Sequence, residues 1–158
     1  MTPGVLLLPA LFQMLAMLAD EGICHQRRGL PRWERLGHPL DTLSVAGCYG
    51  WLVATGPGSH ALAVYVGGAA FSCLLVTKDE FVHARVCGAF ESWLHATLFL
   101  LHPIVFLAFG FIWWSGEHPW VIRAQLAATV VFGIYQLVYW NWRDLWSRFL
   151  RRHMASAR

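Results

Sequence analysis

The chain has 158 residues, of which 57% are hydrophobic, 15% aromatic and only 13% charged, and its formal net charge is +3. Soluble domains carry about 25% charged residues, so this chain has too few charges to cover a water-facing surface. The composition also excludes a disordered chain, a collagen, a coiled coil and a disulfide scaffold, and it predicts an integral membrane protein.

Five apolar runs predict an all-α fold, a polytopic bundle of about five transmembrane helices. A spanning helix needs about 20 apolar residues, with a range near 17–25, and the last two runs reach that length easily. Residues 56–60 separate the second run from the third with a strong turn signal, which predicts a helical hairpin or a re-entrant pair. The runs are residues 3–19, 41–56, 61–77, 89–114 and 119–140.

The basic residues predict the orientation of these helices, because cytoplasmic loops collect Lys and Arg. Five spans with the N-terminus outside and the C-terminus cytoplasmic place 11 of the 12 basic residues on one side, with only Arg123 on the other. We therefore expect residues 1–158 to form a single transmembrane helical domain of a bacterial cytoplasmic (inner) membrane, with a short basic tail from about residue 143. The first run lacks the basic n-region of a secretory signal, so we expect a retained helix.

Several function classes are excluded by what the sequence lacks. The four cysteines have no CxxC spacing, which excludes a zinc ribbon and a thioredoxin-like motif. The sequence contains no P-loop, GxGxxG or GxSxG motif. The net charge of +3 requires no nucleic-acid partner, and we expect the basic tail to lie against anionic membrane lipid.

Acidic residues recur beside histidines at the ends of the spans. Eight of the nine acidic residues fall on the same side as the basic loops. Imidazole and carboxylate groups bind zinc, iron, copper or manganese, and a helix offers two such ligands on one face at a spacing of three or four residues. Glu80-x-x-His83 has the spacing that di-iron carboxylate bundles use. The sequence therefore predicts a metal site near the cytoplasmic interface, and the candidate ligands are His25, His38, Asp41, Glu80, His83, Glu91 and His95.

The fourth segment carries a stripe of ionisable and soft-ligand side chains. If the segment is one helix from about residue 78, the stripe occupies about 120° of arc at about 100° per residue. Such a stripe inside a membrane must face protein or a water-filled cavity, so it indicates a functional site. Its members are Glu80, His83, Cys87, Glu91, His95 and His102.

The rise of the helix divides this stripe into layers. Glu80 and Glu91 would be roughly 16 Å apart at about 1.5 Å per residue, too far for two metals about 4 Å apart. We therefore expect a deeper layer centred on Glu91 and His95, the two candidate catalytic residues, and a shallow layer that holds the other five candidates. The sequence leaves open which layer binds metal.

Each acidic and histidine pair also has a purely structural interpretation, as a helix cap, a solvated helix end or a neutral hydrogen-bonded pair. Thr77-x-x-Glu80 is a capping box in which Glu80 reaches back to the Thr77 amide. Asp41, shortly after Pro39, would complement the dipole at the start of a helix. The coincidence of all the pairs on one side favours a shared site.

The placement of these residues is similar to that in membrane desaturases and hydroxylases, whose clustered histidine boxes hold two irons at the cytoplasmic face. The likeness is one of composition and position. This chain is much shorter and has no adjacent His-His box, so it is not assigned to that family.

The leading expectation is a membrane metalloprotein, an oxidoreductase or hydrolase that acts on a lipophilic small-molecule substrate. Iron is the first choice of cofactor and zinc the second, because carboxylate and histidine are mixed without thiolate pairs. The alternatives are a small proton-coupled transporter or metal-ion carrier with a relay through Glu91, His95 and His102, a haem-binding subunit, and an accessory subunit of a homo-oligomer or larger membrane complex.

Overall fold

Long apolar helices make up most of the fold. The computed structural model describes the backbone of residues 3–156 and the side chains in this range except those at positions 3, 79, 82, 148 and 150–156. The protein is 92% helical and has no strand in the described part, which confirms the all-α prediction. Four segments are long and apolar enough to cross a membrane, which supports a membrane protein: Gly4–Arg28, Ser59–Val86, Ala89–Ser115 and Pro119–Ser147.

The elements follow the apolar runs of the sequence. In chain order they are α1 (Pro3–Ala19), a π-helical segment (Asp20–His25), α2 (Gln26–Arg28), α3 (Arg32–Ala54), α4 (Ser59–Leu75), a 3₁₀ turn (Val76–Asp79), α5 (Glu80–Val86), α6 (Ala89–Ser115) and α7 (Pro119–Ser156). Local chemistry explains the connection between the last two. Gly116 ends α6 with a positive φ of 69°, which a side chain would disfavour, and Pro119 suits the first position of α7.

Three helix boundaries differ from the predictions, because polar residues extend helices beyond their apolar runs. The first helix continues through the π-helical segment to Arg28, and α3 begins at Arg32 rather than near residue 41. α7 continues to Ser156, so the predicted tail is helical. The expectation of one continuous helix from about residue 78 is wrong, since the extended backbone of Gly88 (ψ 168°) separates α5 from α6.

α3 and α4 form an antiparallel hairpin. Near the connection, Trp51 Nε1 donates to the carbonyl of Ala61 at 3.0 Å. At the other end, Lys78 Nζ beyond α4 pairs with Asp41 Oδ2 at 2.6 Å. α3 also packs against α7, while α1 packs against α6. Polar residues in the first half of α3 explain why it is not among the four apolar segments.

The apolar core and the polar side chains occupy opposite ends of the bundle. Tyr49, Phe109 and Trp113 are at most 5% exposed and belong to a core built from α3, α4, α6 and the start of α7. The outward surface is apolar as well, since Leu74 and Leu107 are more than 70% exposed. An exposed apolar surface of this kind is typical of contact with lipid.

Candidate metal centre

The π-helical segment brings three metal-binding side chains together. Residues five apart on an α-helix are about 140° apart around the axis, but the i→i+5 hydrogen bonding of a π-helix widens the turn and aligns them. His25 consequently meets both preceding acids: its Nε2 lies 3.3 Å from Asp20 Oδ2, and its Nδ1 lies 3.1 Å from Glu21 Oε2. All three residues are buried.

Four further elements add polar groups at the same place. α2 contributes a guanidinium, α3 a carboxylate and an imidazole, α5 an imidazole, and α6 a carboxylate and an imidazole. Glu34 of α3 is fully buried, and Glu91 of α6 is 6% exposed. We call the whole set the polar cluster: Asp20, Glu21, His25, Arg28, Glu34, His38, His83, Glu91 and His95.

One set of four donors in the polar cluster has the spacing of a metal site. Asp20, His25, Glu91 and His95 each offer one atom, and these atoms lie within 4.8 Å of one another. Asp20 Oδ2 is 3.3 Å from His25 Nε2 and 3.2 Å from His95 Nε2, and Glu91 Oε1 is 3.8 Å from His25 Nε2. Ligands about 2.0–2.1 Å from a tetrahedral metal are roughly 3.3–3.4 Å apart, so the two distances from Asp20 fit one ion and the distance from Glu91 to His25 is somewhat longer. We call this set site A.

A second set lies beside site A. Glu34, His38 and His83 also offer donor atoms within 4.8 Å of one another. His83 Nε2 is 3.6 Å from Glu34 Oε1. The ring of His83 stacks on that of His95 with centroids 4.1 Å apart, so the two sets are in direct contact. We call Glu34, His38 and His83 site B.

A tryptophan and a glutamate orient the imidazole of His25. Trp140 Nε1 of α7 donates a hydrogen bond to Glu21 Oε1, and the other carboxylate oxygen accepts from His25 Nδ1 at 3.1 Å. A proton on Nδ1 leaves the lone pair of Nε2 facing Asp20 and Glu91. This carboxylate–histidine arrangement is the one that holds metal-ligating histidines in other proteins.

The polar cluster contains more negative than positive charge. Its four carboxylates face one permanent cation, Arg28, whose Nη2 lies 2.8 Å from both Glu34 Oε2 and Glu91 Oε1. With neutral histidines the cluster carries a net charge of −3. Burying uncompensated carboxylates is costly, so the cluster attracts cations.

Buried polar atoms without a hydrogen-bond partner in site A also favour a bound cation. Within the described part of the chain, Asp20 Oδ1, His25 Nε2 and His95 Nδ1 have no hydrogen-bond partner. Each belongs to a residue that is at most 6% exposed. Buried polar atoms are satisfied in nearly all proteins, and of these three atoms His25 Nε2 is the one that a metal ion at site A would satisfy.

Burial also alters the acidity of two groups outside the apolar segments. It raises the pKa of Glu34, an effect that the neighbouring Arg28 guanidinium opposes. It raises the pKa of the Cys87 thiol to about 12, and the nearby Glu91 carboxylate contributes in the same direction. The thiol is therefore neutral near pH 7, and the ionised donors of the cluster are carboxylates.

The polar cluster contains five of the seven predicted ligands, His25, His38, His83, Glu91 and His95. The other two lie elsewhere. Asp41 pairs with Lys78 at the α3–α4 hairpin, and Glu80 is exposed at the start of α5. Neither has the capping position that the sequence suggested, since Asp41 lies inside α3 and the Thr77 hydroxyl donates to the carbonyl of Leu74.

The predicted division into two layers is wrong. On a continuous helix His83 and His95 would be roughly 18 Å apart, yet their rings are stacked. The break at residues 87–88 folds α5 back, so that His83 lies against His95 instead of one layer away. Both predicted layers thus merge into one cluster.

Four members of the polar cluster, Asp20, Glu21, Arg28 and Glu34, were not among the predicted ligands, although Glu21 lies four residues before the predicted ligand His25. Asp20 would face away from His25 on a regular helix, and no sequence signal marks the π-helical segment. Glu34 and Arg28 belong to the loop between the first two predicted spans, where charges are ordinary. The only sequence feature that sets them apart is that the residues from Arg32 into the second span could form one continuous helix.

His102 lies apart from the polar cluster, deeper along α6. Its Nδ1 is 3.2 Å from Gln13 Nε2, and its Nε2 is 3.1 Å from Ser72 Oγ. These contacts join α1, α4 and α6 in the middle of the bundle. They satisfy the imidazole without any contribution from site A or site B.

Comparison with models of protein families, with curated proteins and with solved structures finds no match for this chain.

Proposed function

We propose that the chain is a membrane-embedded metal-binding protein, and that site A holds a divalent metal in the polar cluster. The observation that carries this proposal is the pairing of metal-like donor spacing with surplus buried negative charge. Four donors lie within 4.8 Å of one another, and one guanidinium faces four carboxylates. A divalent cation would offset two of the three excess charges and coordinate the unpartnered Nε2 of His25.

Iron is the metal that we propose first, and zinc second. The donors are imidazole and carboxylate, and mixed nitrogen and oxygen ligands suit iron in oxygen-dependent chemistry. With iron the protein would be an oxidoreductase. With zinc it would be a hydrolase in which a metal-activated water attacks an ester or amide.

The substrate that we propose is lipophilic. The surface around the bundle is apolar, and the polar cluster lies at one end of the helices, where an apolar molecule dissolved in the bilayer meets the aqueous interface. Glu91 and His95 would act there both as ligands and as the groups nearest to the reacting centre. This position favours catalysis on a membrane-soluble molecule.

We also propose five crossings of a bacterial inner membrane, with the N-terminus outside and the polar cluster on the cytoplasmic side. α3 starts beside Arg28 in the polar cluster and ends where Thr55 accepts a hydrogen bond from Trp113 at 2.9 Å. It therefore joins opposite ends of the bundle, although its own composition is less apolar. The basic residues on the cluster side favour a cytoplasmic location.

Elemental analysis of the detergent-purified protein tests the proposal. We expect bound metal in the wild type and its loss in His95→Ala and Asp20→Asn. The matched controls are His60→Gln, an exposed histidine, and Asp41→Asn, a carboxylate outside the polar cluster, and both should retain the metal. A wild-type protein that binds neither iron nor zinc after reconstitution would contradict the proposal.

The bound metal then directs the assay. An iron-loaded protein should consume oxygen in the presence of a lipid substrate mixture, and His95→Ala should not. A zinc-loaded protein should instead release fatty acid or another hydrolysis product from that mixture. If neither loaded form changes the mixture, the catalytic part of the proposal is wrong while metal binding stands.

A further inference from the structure

We infer that the polar cluster holds two metal ions, the second bound at site B by Glu34, His38 and His83. This inference rests on the proposed function, which requires only the ion at site A. It adds that the centre is dinuclear and assigns each ion its own ligands.

The first argument is that sites A and B use different ligands, alongside two further triads, His83–Cys87–His95 and Glu21–His25–His38, that combine residues of both. Site A takes its donors from the π-helical segment and α6, and site B takes its donors from α3 and α5. Each set is complete enough to hold an ion, with four and three protein donors, and water could fill the remaining positions.

The second argument is the distance between the sites. Arg28 Nη2 lies 2.8 Å from Glu34 Oε2 and 2.8 Å from Glu91 Oε1, so these two oxygens are at most about 5.6 Å apart. The stacked rings of His83 and His95 bridge the sites on another side. Metals in two-metal centres are about 3.5–4 Å apart, and ligands on neighbouring ions have separations of this order.

Site B remains accessible to an ion although Glu34 binds Arg28. The closer contact of Arg28 uses Oε2 at 2.8 Å, whereas Oε1 is 3.3 Å from Nη1. Oε1 is also the oxygen that lies 3.6 Å from His83 Nε2. A carboxylate oxygen has two lone pairs, so Oε1 can bind a metal while Oε2 keeps its hydrogen bond to the guanidinium.

The third argument is charge. With neutral histidines, the four carboxylates and Arg28 give the polar cluster a net charge of −3. One divalent ion reduces this to −1. Two divalent ions with one bridging hydroxide bring the net charge to zero, which is the state that a buried site favours. A dinuclear centre therefore balances the cluster better than a single ion does.

Manganese loading with electron paramagnetic resonance tests the inference. Metal-free protein is titrated with Mn²⁺, and bound metal is counted by equilibrium dialysis and elemental analysis. We expect two Mn²⁺ per chain and the spectrum of an exchange-coupled pair in the wild type. The double variant His38→Gln with His83→Gln should bind one Mn²⁺ and give the spectrum of an isolated ion.

Two further variants and a folding control sharpen the result. Glu34→Gln keeps a side chain that can accept a hydrogen bond from Arg28, and it should also reduce the count from two to one. His60→Gln should keep both ions. Gel filtration in detergent and far-ultraviolet circular dichroism establish whether each variant is folded. If the double histidine variant is not folded, the metal count of Glu34→Gln tests site B.

The outcomes separate this inference from the proposed function. A wild type with one Mn²⁺ that is lost in His95→Ala but kept in Glu34→Gln would overturn site B and leave site A standing. A wild type that binds neither Mn²⁺, Fe²⁺ nor Zn²⁺ would overturn both. A count of two without magnetic coupling would contradict a dinuclear centre.

Discussion

His25 shows how single residues prepare the candidate centre. Its Nδ1 is held by Glu21, and Glu21 is held in turn by Trp140. The tautomer that results directs the Nε2 lone pair toward the donors of site A. A residue outside the ligand set thus controls the geometry of a ligand, as is usual around metal-binding histidines.

Trp140→Phe should weaken metal binding at site A by about 10–100-fold, because Glu21 then loses the donor that fixes its carboxylate. Titration of the metal-free protein with Fe²⁺ or Zn²⁺ measures the affinity, and the number of ions bound at saturation should not change. The matched control is Trp142→Phe, since Trp142 is 67% exposed. Equal affinity in both folded variants would contradict the role given to Trp140.

At Glu34, we expect metal binding and the stability of the metal-free protein to conflict. Because burial raises its pKa despite Arg28, ionised Glu34 is less favourable in the folded protein than in the unfolded chain. The stability that this group contributes is present at low pH and is lost as the pH rises through the raised pKa. We expect metal-free Glu34→Gln to have a higher thermal midpoint than the metal-free wild type at pH 8.

That difference in thermal midpoint should shrink as the pH is lowered, because the wild-type carboxyl becomes protonated and resembles the amide. Differential scanning fluorimetry in detergent, over a pH series that descends from pH 8 through the raised pKa of Glu34, measures it. Added metal should reverse the order, because an ion bound to the folded state stabilises the wild type. A midpoint for Glu34→Gln below that of the metal-free wild type at every pH would show that the ion pair with Arg28 outweighs the effect of burial.

At the scale of whole elements, the helices approach one another closely in the apolar core, which lies at the opposite end of the bundle from the polar cluster. Membrane helices pack closely where small residues face a neighbour. A Cβ added to Gly110 of α6 would lie 2.9 Å from Cε1 of Tyr65 on α4. Tyr65 cannot move easily, since its hydroxyl donates to the carbonyl of Phe106 at 2.7 Å. The α4–α6 contact therefore depends on glycine at this position.

Gly110→Ala should destabilise the protein by about 1–3 kcal/mol, the usual cost of overpacking. The matched control is Gly67→Ala on α4, because no atom lies within 4 Å of a Cβ added there. Thermal unfolding in detergent compares the two variants. The number of metal ions bound should be unchanged in both, since Gly110 belongs to the apolar end of the bundle, and equal stabilities would contradict the packing argument.

At the scale of the whole molecule, the number of membrane crossings in the proposed topology depends on α3. It joins the polar cluster to the end that contains Trp113, yet its first half is polar. Those polar side chains include Glu34 and His38, which face the cluster instead of lipid. A helix can carry such residues across a membrane when protein surrounds them.

Labelling of single cysteines tests this topology. In a cysteine-free background, Pro57→Cys and Glu117→Cys should react with a membrane-impermeant maleimide in intact cells. Pro31→Cys should react only after the membrane is permeabilised, because the proposed topology places the segment after α2 on the cytoplasmic side. Labelling of positions 31 and 57 from the same side of the membrane would show that α3, which lies between them, does not cross.

The sequence determined the helical class and most helix positions, because both depend on local patterns. Apolar runs of sufficient length predict α1, α4, α6 and α7, and residues 56–60 predict the turn between α3 and α4. Histidines and acids at the ends of these runs also indicated five members of the polar cluster. Periodicity and composition are properties of short stretches of chain, so they can be read without a fold.

Tertiary structure alone decided how the candidate centre is assembled. The π-helical segment turns Asp20 toward His25, and the break at Gly88 places His83 on His95. Both depend on small backbone departures from a regular helix, which rotate or translate side chains by several ångströms without any marked change in sequence pattern. Glu34 joins the cluster only because α3 begins early and packs beside α2. Contacts among residues distant in the chain are set by packing, and therefore the sequence predicted the kinds of donor but not which of them meet.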